Sequence, residues 1–358
     1  MLTELDYRPD SAQVFQHLLD LPYCVFLDSG NGTPFAGRYD ILAAAPYLTL
    51  TTRGEETEIR SRERIEVSRD DSLELVQAHL GPIDQLYEDL PFTGGAIGYL
   101  SYDLGRRFEN FDVAALRDID LPEMVIGLYD WAVIVDHQRQ RSVLVSHGRD
   151  PQTAEIWDEL VALVSDSSPK PRPVFEVVSE ISSNFTYAEY SEAFSRVQDH
   201  IRRGDCYQIN LTQRFEARVA GDSWNAYRKL RQTNPAPFSA YVSTSHGEIL
   251  SSSPERFLYV DGDRVETKPI KGTRPRVDDA EADAGQQREL AASAKDRAEN
   301  VMIVDLLRND LGKSCVPGSI RPERLFEIES FAHVHHLVST VTARLSPDRH
   351  PLDLVRGC

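Results

Sequence analysis

Apolar residues recur along this chain with two different periods. Residues 186–204 carry Tyr190, Phe194, Val197 and Ile201 at 4-3-4 spacing, which predicts an amphipathic helix. Thr186 and Glu189 predict a capping box at its start, and Gly204 suits its end. Residues 206–219 alternate instead, with Tyr207, Ile209 and Leu211 on one face and Gln208, Asn210 and Thr212 on the other. That pattern predicts a strand with one wet or functional face. Runs of β type at 24–27, 47–52 and 58–61 are broken by Gly and Pro, while 71–80 and 153–164 have helical spacing. A long apolar run at 124–136 meets a second at 142–146 across a polar turn, as in a central hairpin. Strands are expected over 238–260 and 331–343, and a long helix over roughly 280–311. The prolines between 167 and 173 predict a linker, because proline continues neither a helix nor a sheet ladder. The expected division is therefore 1–166, a linker at 167–176, and 177–358. Antiparallel runs with interspersed helices favour an α+β fold of large, mostly antiparallel sheets packed together with helices outside.

Composition narrows the function classes. With 358 residues, 41% of them hydrophobic, the chain can bury a large core. A formal net charge of -18 argues against nucleic acid and against anionic membrane surfaces as partners. Cys24, Cys206, Cys315 and Cys358 are scattered without a CxxC pair, which suits a reduced compartment. The N-terminus lacks a basic and an apolar signal region, and no apolar run approaches a membrane span, so a soluble cytoplasmic protein is expected.

Against that acidic background, Lys268, Lys271, Arg274 and Arg276 fall within nine residues, just downstream of Glu255. The segment reads either as a basic surface hairpin or as a site for a small anion, where an acid and a lysine share work at one centre. On the expected helix, Asp296 and Glu299, like Asp305 and Asn309, share a face. These pairs are either a solvated face or oxygen ligands for a hard cation such as Mg²⁺. If 331–343 is a strand, His333 and His335 face one way, and His336 faces the other with Val334 and Val338. No third ligand completes a zinc site, so His336 is either a core or an active-site histidine. Residues 27–30 and 37–40 look like two strand ends around a Gly-rich loop, with no nucleotide fingerprint.

Taken together, several segments resemble the chorismate-utilising enzymes, specifically the branch that forms 4-amino-4-deoxychorismate. They are Gly-Arg-Tyr-Asp-Ile (37–41), the glycine-rich 92–106, Gly-Asp-Cys-Tyr-Gln-Ile-Asn-Leu (204–211), Ser-Pro-Glu-Arg-Phe (253–257), Pro-Ile-Lys-Gly-Thr (269–273), 296–310 and His-His-Leu-Val-Ser (335–339). The resemblance implies an anthranilate synthase component I-like fold and replacement of the C4 hydroxyl of chorismate by ammonia. Anthranilate synthases carry alanine where Lys271 stands, so the lysine points to the aminating branch. Lys271 is implied as the nucleophile at ring C2, and Lys268, Arg274 and Arg276, if close, would favour its uncharged form. Glu255 is implied as general acid or base, His336 as the histidine beside the departing hydroxyl, and Thr273 as a substrate contact. Glu299 is implied as a ligand of the cofactor Mg²⁺. A tryptophan pocket is implied at Ser29, at Ala36, Gly37, Arg38 and Tyr39, and at Pro237, Phe238 and Ser239. The ammonia source is implied to be a separate glutaminase (glutamine amidotransferase) subunit. Anthranilate or isochorismate synthase chemistry, or a non-catalytic form that binds only tryptophan or the glutaminase, are the alternatives.

The family pattern departs at one point. There, the segment matching Val355 to Cys358 continues into a Phe-Pro-Gly-Gly-Ser loop, further carboxylate-binding loops and additional Mg²⁺-binding glutamates. The chain as written ends at Cys358, and on this reading it is expected to be C-terminally incomplete.

Overall fold

The strands that carry the site belong to one five-stranded antiparallel sheet, seen here in a computed structural model that describes residues 1–30, 37–82, 86–109, 119–168 and 170–358. Its centre is the strand Val334–Arg344, buried from His335 to Ala343. Along one edge of this strand lie Arg264–Thr267 and then Ile270–Pro275, end to end. Arg321–Ser330 pairs along the other edge, and Tyr259–Asp261 pairs with Arg264–Thr267. The helices Ala280–Ala292 and Ala294–Leu311 cover one face of the sheet, where Val265, Val304, Leu311, Val341 and Ala343 form a core.

Two further antiparallel sheets complete the larger compact unit, residues 1–170 with 228–358. In the seven-stranded sheet, Ser239–Thr244 from the second half of the chain pairs with Val25–Asp28 from the first. Its inward residues, among them Val25, Ala43, Ile134, Val143 and Val242, are almost fully buried. The other sheet has five strands between residues 48 and 129 and packs the capped helix Ser72–Leu80 through Leu73 and Val76. The α+β expectation holds, with every named strand pair antiparallel.

Several elements differ in detail from the expectation. The apolar run 124–136 is two strands, Met124–Tyr129 and Trp131–Asp136, in different sheets. The break falls at buried Asp130, whose carboxylate accepts from Ser146 Oγ at 2.8 Å and from the Arg149 N–H at 2.6 Å. The second half of the run does pair with Arg141–Ser146 as a hairpin. The helix expected over 280–311 is divided at Ser293, which is extended at φ -65° and ψ 107° and caps the Asp296 N–H with its hydroxyl.

The second unit, residues 171–227, contains the helix Tyr187–Arg203 with the expected capping box and left-handed Gly204. Phe194 on its apolar stripe is half exposed. The strand expected over 206–219 is reduced to Phe215–Glu216 and Val219–Ala220, because only these residues find ladder partners, at Ser182–Ser183 and Glu176–Val177. Alternation supplies a strand's faces but not its partner. Among the described residues, no helix is long and apolar enough to cross a membrane.

Candidate active site

Lys271 sits in a β-bulge. Ile270 pairs with Val338 and Thr273 with His336, so the two residues between, Lys271 and Gly272, oppose one residue of the central strand. Gly272 is at φ +87°, and a Cβ there would lie 2.9 Å from Asp296 Cβ and 3.0 Å from Leu290 Cδ1. Only glycine meets both the left-handed conformation and the close approach of the helix. The bulge thereby lifts Lys271 out of the ladder's regular alternation. Its amine donates to the Ile270 carbonyl at 2.9 Å.

Directly opposed residues share a sheet face, so Thr273 and His336 lie together on the face away from the two helices. Thr273 Oγ1 is 2.9 Å from His336 Nδ1. Glu255 Oε1 accepts the Ile270 N–H at 2.9 Å, and its charge acts on His336. His336 is 9% exposed, and Phe331 packs against it at 5.4 Å with the rings inclined at 60°. Burial lowers the His336 pKa, partly offset by the carboxylates of Glu255 and Glu329. The group is thus a neutral imidazole at neutral pH. With Nδ1 engaged by Thr273, Nε2 is the nitrogen left to meet a ligand.

The basic run is not an unpaired cluster of charge. Lys268 Nζ meets Glu329 at 2.6 Å, Arg274 meets Glu289 at 2.9 Å and Asp296 at 3.2 Å, and Arg276 meets Asp283 at 2.9 Å. The three cations around Lys271 are each paired with a carboxylate, so charge alone does not mark an anion site here. Sequence reasoning missed Glu329 and Phe331. Both become visible only through pairing, since Glu329 sits opposite His336 across the hairpin.

The acidic pairs on the long helix are also resolved. Asp296 is committed to Arg274, and Asp305 to Arg308 at 2.8 Å. Glu299 is half-buried and makes no hydrogen bond or ion pair among the described residues. No group of three or more His, Cys, Asp or Glu that could hold a metal occurs among those residues. Next to Glu299, the fully buried Asn300 accepts from Ser339 Oγ and leaves its Nδ2 without a partner. One unpaired carboxylate suits a hard cation that takes most of its oxygens from substrate and water. It does not by itself make a closed site.

The residues assigned to a tryptophan pocket converge at one end of the seven-stranded sheet, where Ser239 pairs with Asp28 and Tyr39 begins the next strand but one. Ala36 lies outside the described residues. The polar groups are already engaged within the protein. Ser29 Oγ donates to buried Asp40 at 2.7 Å, Ser239 Oγ to the Ala236 carbonyl at 2.9 Å, and Arg38 Nη2 to Asp136 at 2.6 Å. Tyr39 Oη reaches the Asp89 carbonyl at 3.3 Å. Gly37, Pro237 and Phe238 instead line a cavity of about 210 Å³ whose far wall includes Lys268, Glu329 and Phe331. A Cβ on Gly37 would lie 2.9 Å from Ser29 Cβ, so its small size keeps this wall closely packed.

The site therefore offers an amine in a bulge, a carboxylate anchored through one oxygen, and a neutral imidazole held at one nitrogen. A family model described as chorismate binding enzyme matches residues 22–358. The chain is 48% identical over 357 residues to a Salmonella typhimurium protein named aminodeoxychorismate synthase component 1, covering 99% of this chain and 77% of that protein. The Escherichia coli protein of the same name is 46% identical over 355 residues, covering 98% and 77%. The crystal structure of anthranilate synthase component I from Streptococcus pneumoniae superposes with a TM-score of 0.79 at 26% identity, covering 90% of this chain and 72% of that one.

Proposed function

The chain belongs to the chorismate-binding enzymes, and we propose that it is an aminodeoxychorismate synthase subunit, converting chorismate and ammonia to 4-amino-4-deoxychorismate for p-aminobenzoate and folate synthesis in the cytoplasm. The observation that carries the reading is Lys271, presented by the bulge in the strand that also places Thr273 against His336.

In this reading, the unprotonated Lys271 amine attacks ring C2, both double bonds of the ring diene shift, and the C4–O bond breaks. Hydroxide is a poor leaving group, so a proton from Glu255 lets it depart as water, with the neutral His336 beside it as a hydrogen-bonding group. Ammonia then adds at C4, both double bonds shift back and Lys271 is released, while the Glu255 carboxylate takes up the surplus proton. The anchored oxygen of Glu255 fixes the carboxyl group, and the other remains for proton transfer. Thr273 contributes a substrate contact from the same face as His336. Mg²⁺, held by Glu299 together with substrate oxygens, would neutralise the ring carboxylate. The name component 1 in the relatives supports a partner component, here a glutaminase subunit that supplies ammonia. Gly37, Pro237 and Phe238 support a tryptophan-binding role for the cavity they line.

The test is to incubate the chain with chorismate, Mg²⁺ and ammonium and to identify the product. Aminodeoxychorismate supports the reading. Anthranilate or isochorismate would move the chain to a sibling chemistry, and a folded chain without turnover would overturn catalysis by this form.

A further inference from the structure

The turn that carries Phe331 is tied down from outside the site. Asp283, in the first turn of the helix Ala280–Ala292, accepts from Arg276 Nε at 2.9 Å, from the Val277 N–H at 3.1 Å and from His335 Nε2 at 3.0 Å. Two of these donors, Arg276 and His335, in turn hold the segment 330–335. The Arg276 guanidinium donates to the Phe331 carbonyl at 3.1 Å, and its backbone N–H to the His333 carbonyl at 2.8 Å. The second ring nitrogen of His335, itself fully buried, lies 2.7 Å from Ser330 Oγ. Phe331, 6% exposed, sits between these fixed points and covers the neighbouring imidazole.

We propose that Asp283 is a positioning residue for His336, clamping through Arg276 and His335 the turn that seats Phe331 on the imidazole. The proposal rests on the reading of His336 as an active-site group. An exposed ion pair contributes little, but this carboxylate is held by a buried histidine of the central strand and by a guanidinium and a backbone N–H of the segment that follows the bulged strand. Its loss frees both strand ends that frame Phe331 and lets water reach the ring beneath. The other groups facing His336 stay in place: Thr273 from the bulged strand, Glu255 from the segment before Tyr259, and Glu329 from the hairpin partner, itself paired with Lys268. His335, from the same strand, points to the opposite face.

The experiment is a titration of histidine-labelled protein by NMR, with His336 assigned through H336Q, comparing wild type, D283N and F331L. The proposal expects both variants to move the His336 midpoint upward toward 6.5, the value of an ordinary histidine, as the ring regains water. In turnover, D283N is expected to lower kcat roughly tenfold to a hundredfold with KM for chorismate unchanged. A folded D283N whose melting temperature falls while the His336 midpoint stays at the wild-type value overturns the proposal. Should D283N not fold, R276K replaces it, with the same two outcomes. The titration needs no turnover, so a failure of the proposed activity leaves this test intact.

Discussion

Glu255 has one carboxylate oxygen on the Ile270 N–H, which leaves the other for the proton transfer proposed above. Replacing it with glutamine keeps the anchor and removes the acid. E255Q is therefore expected to lower turnover by about 10²–10⁴-fold while chorismate binding, followed by fluorescence or calorimetry, is retained. An equal loss in binding would make Glu255 a substrate contact rather than a proton carrier. The sequence singled out Lys271, Glu255 and His336 through motifs that match a known family, and the fold brings Glu255 and His336 to the bulge that carries Lys271. The role of Thr273 against His336 was not legible in the sequence, since the register that joins them spans sixty-three residues and a bulge. The pairing of the basic run was hidden for a similar reason. Four cations close in sequence say nothing about Glu329, Glu289, Asp296 and Asp283, which reach three of them, Lys268, Arg274 and Arg276, from three other elements.

Among the elements, the bulged strand depends on Gly272. G272A introduces a Cβ 2.9 Å from Asp296 Cβ at a left-handed φ, and is expected to destabilise the protein by about 1–3 kcal/mol in denaturant unfolding. Because the bulge also presents Lys271, turnover is expected to fall further than stability alone explains. Unchanged kinetics would detach the bulge from the chemistry. The helix Ala280–Ala292 makes a pH prediction. Burial opposes ionisation of Asp283, but Arg276, the Val277 N–H and His335 outweigh it and hold the carboxyl at about 2, below its ordinary 3.8. The stabilisation is fully present above 3.8 and is lost as pH falls toward 2. D283N should therefore be less stable than wild type at neutral pH, with the gap narrowing through that acid window. A gap that is constant with pH would mean the charge contributes nothing. Helix ends with their own caps, such as Thr186 with Glu189, could be read directly from sequence. The break at Ser293 and the split at Asp130 could not, because each depends on where the chain must cross to another sheet or helix.

At the scale of the whole molecule, the strand Ser239–Thr244 joins the sheet of the first half, so the residues at 237–239 stand beside Ser29 and Gly37. The cavity that Gly37, Pro237 and Phe238 line with Glu329 links that sheet end to the pairing partner of His336. If tryptophan occupies it, adding tryptophan at a hundred times its Kd should stabilise the protein by about 2.7 kcal/mol, read as a rise in Tm. A Tm that does not respond removes the ligand assignment. The α+β class and the order of motifs were legible from the sequence. The sharing of one sheet by distant segments was not, because alternation marks a strand's faces and leaves its neighbours open. Whether Lys271 is the nucleophile of a chorismate-aminating enzyme can be read by intact-mass spectrometry after incubation with chorismate and Mg²⁺ but no ammonia. The expected result is an adduct of chorismate less one water, mapped to Lys271, absent from K271A and discharged by ammonium. An adduct that persists in K271A, or aminodeoxychorismate formation by K271A at the wild-type rate, would contradict it.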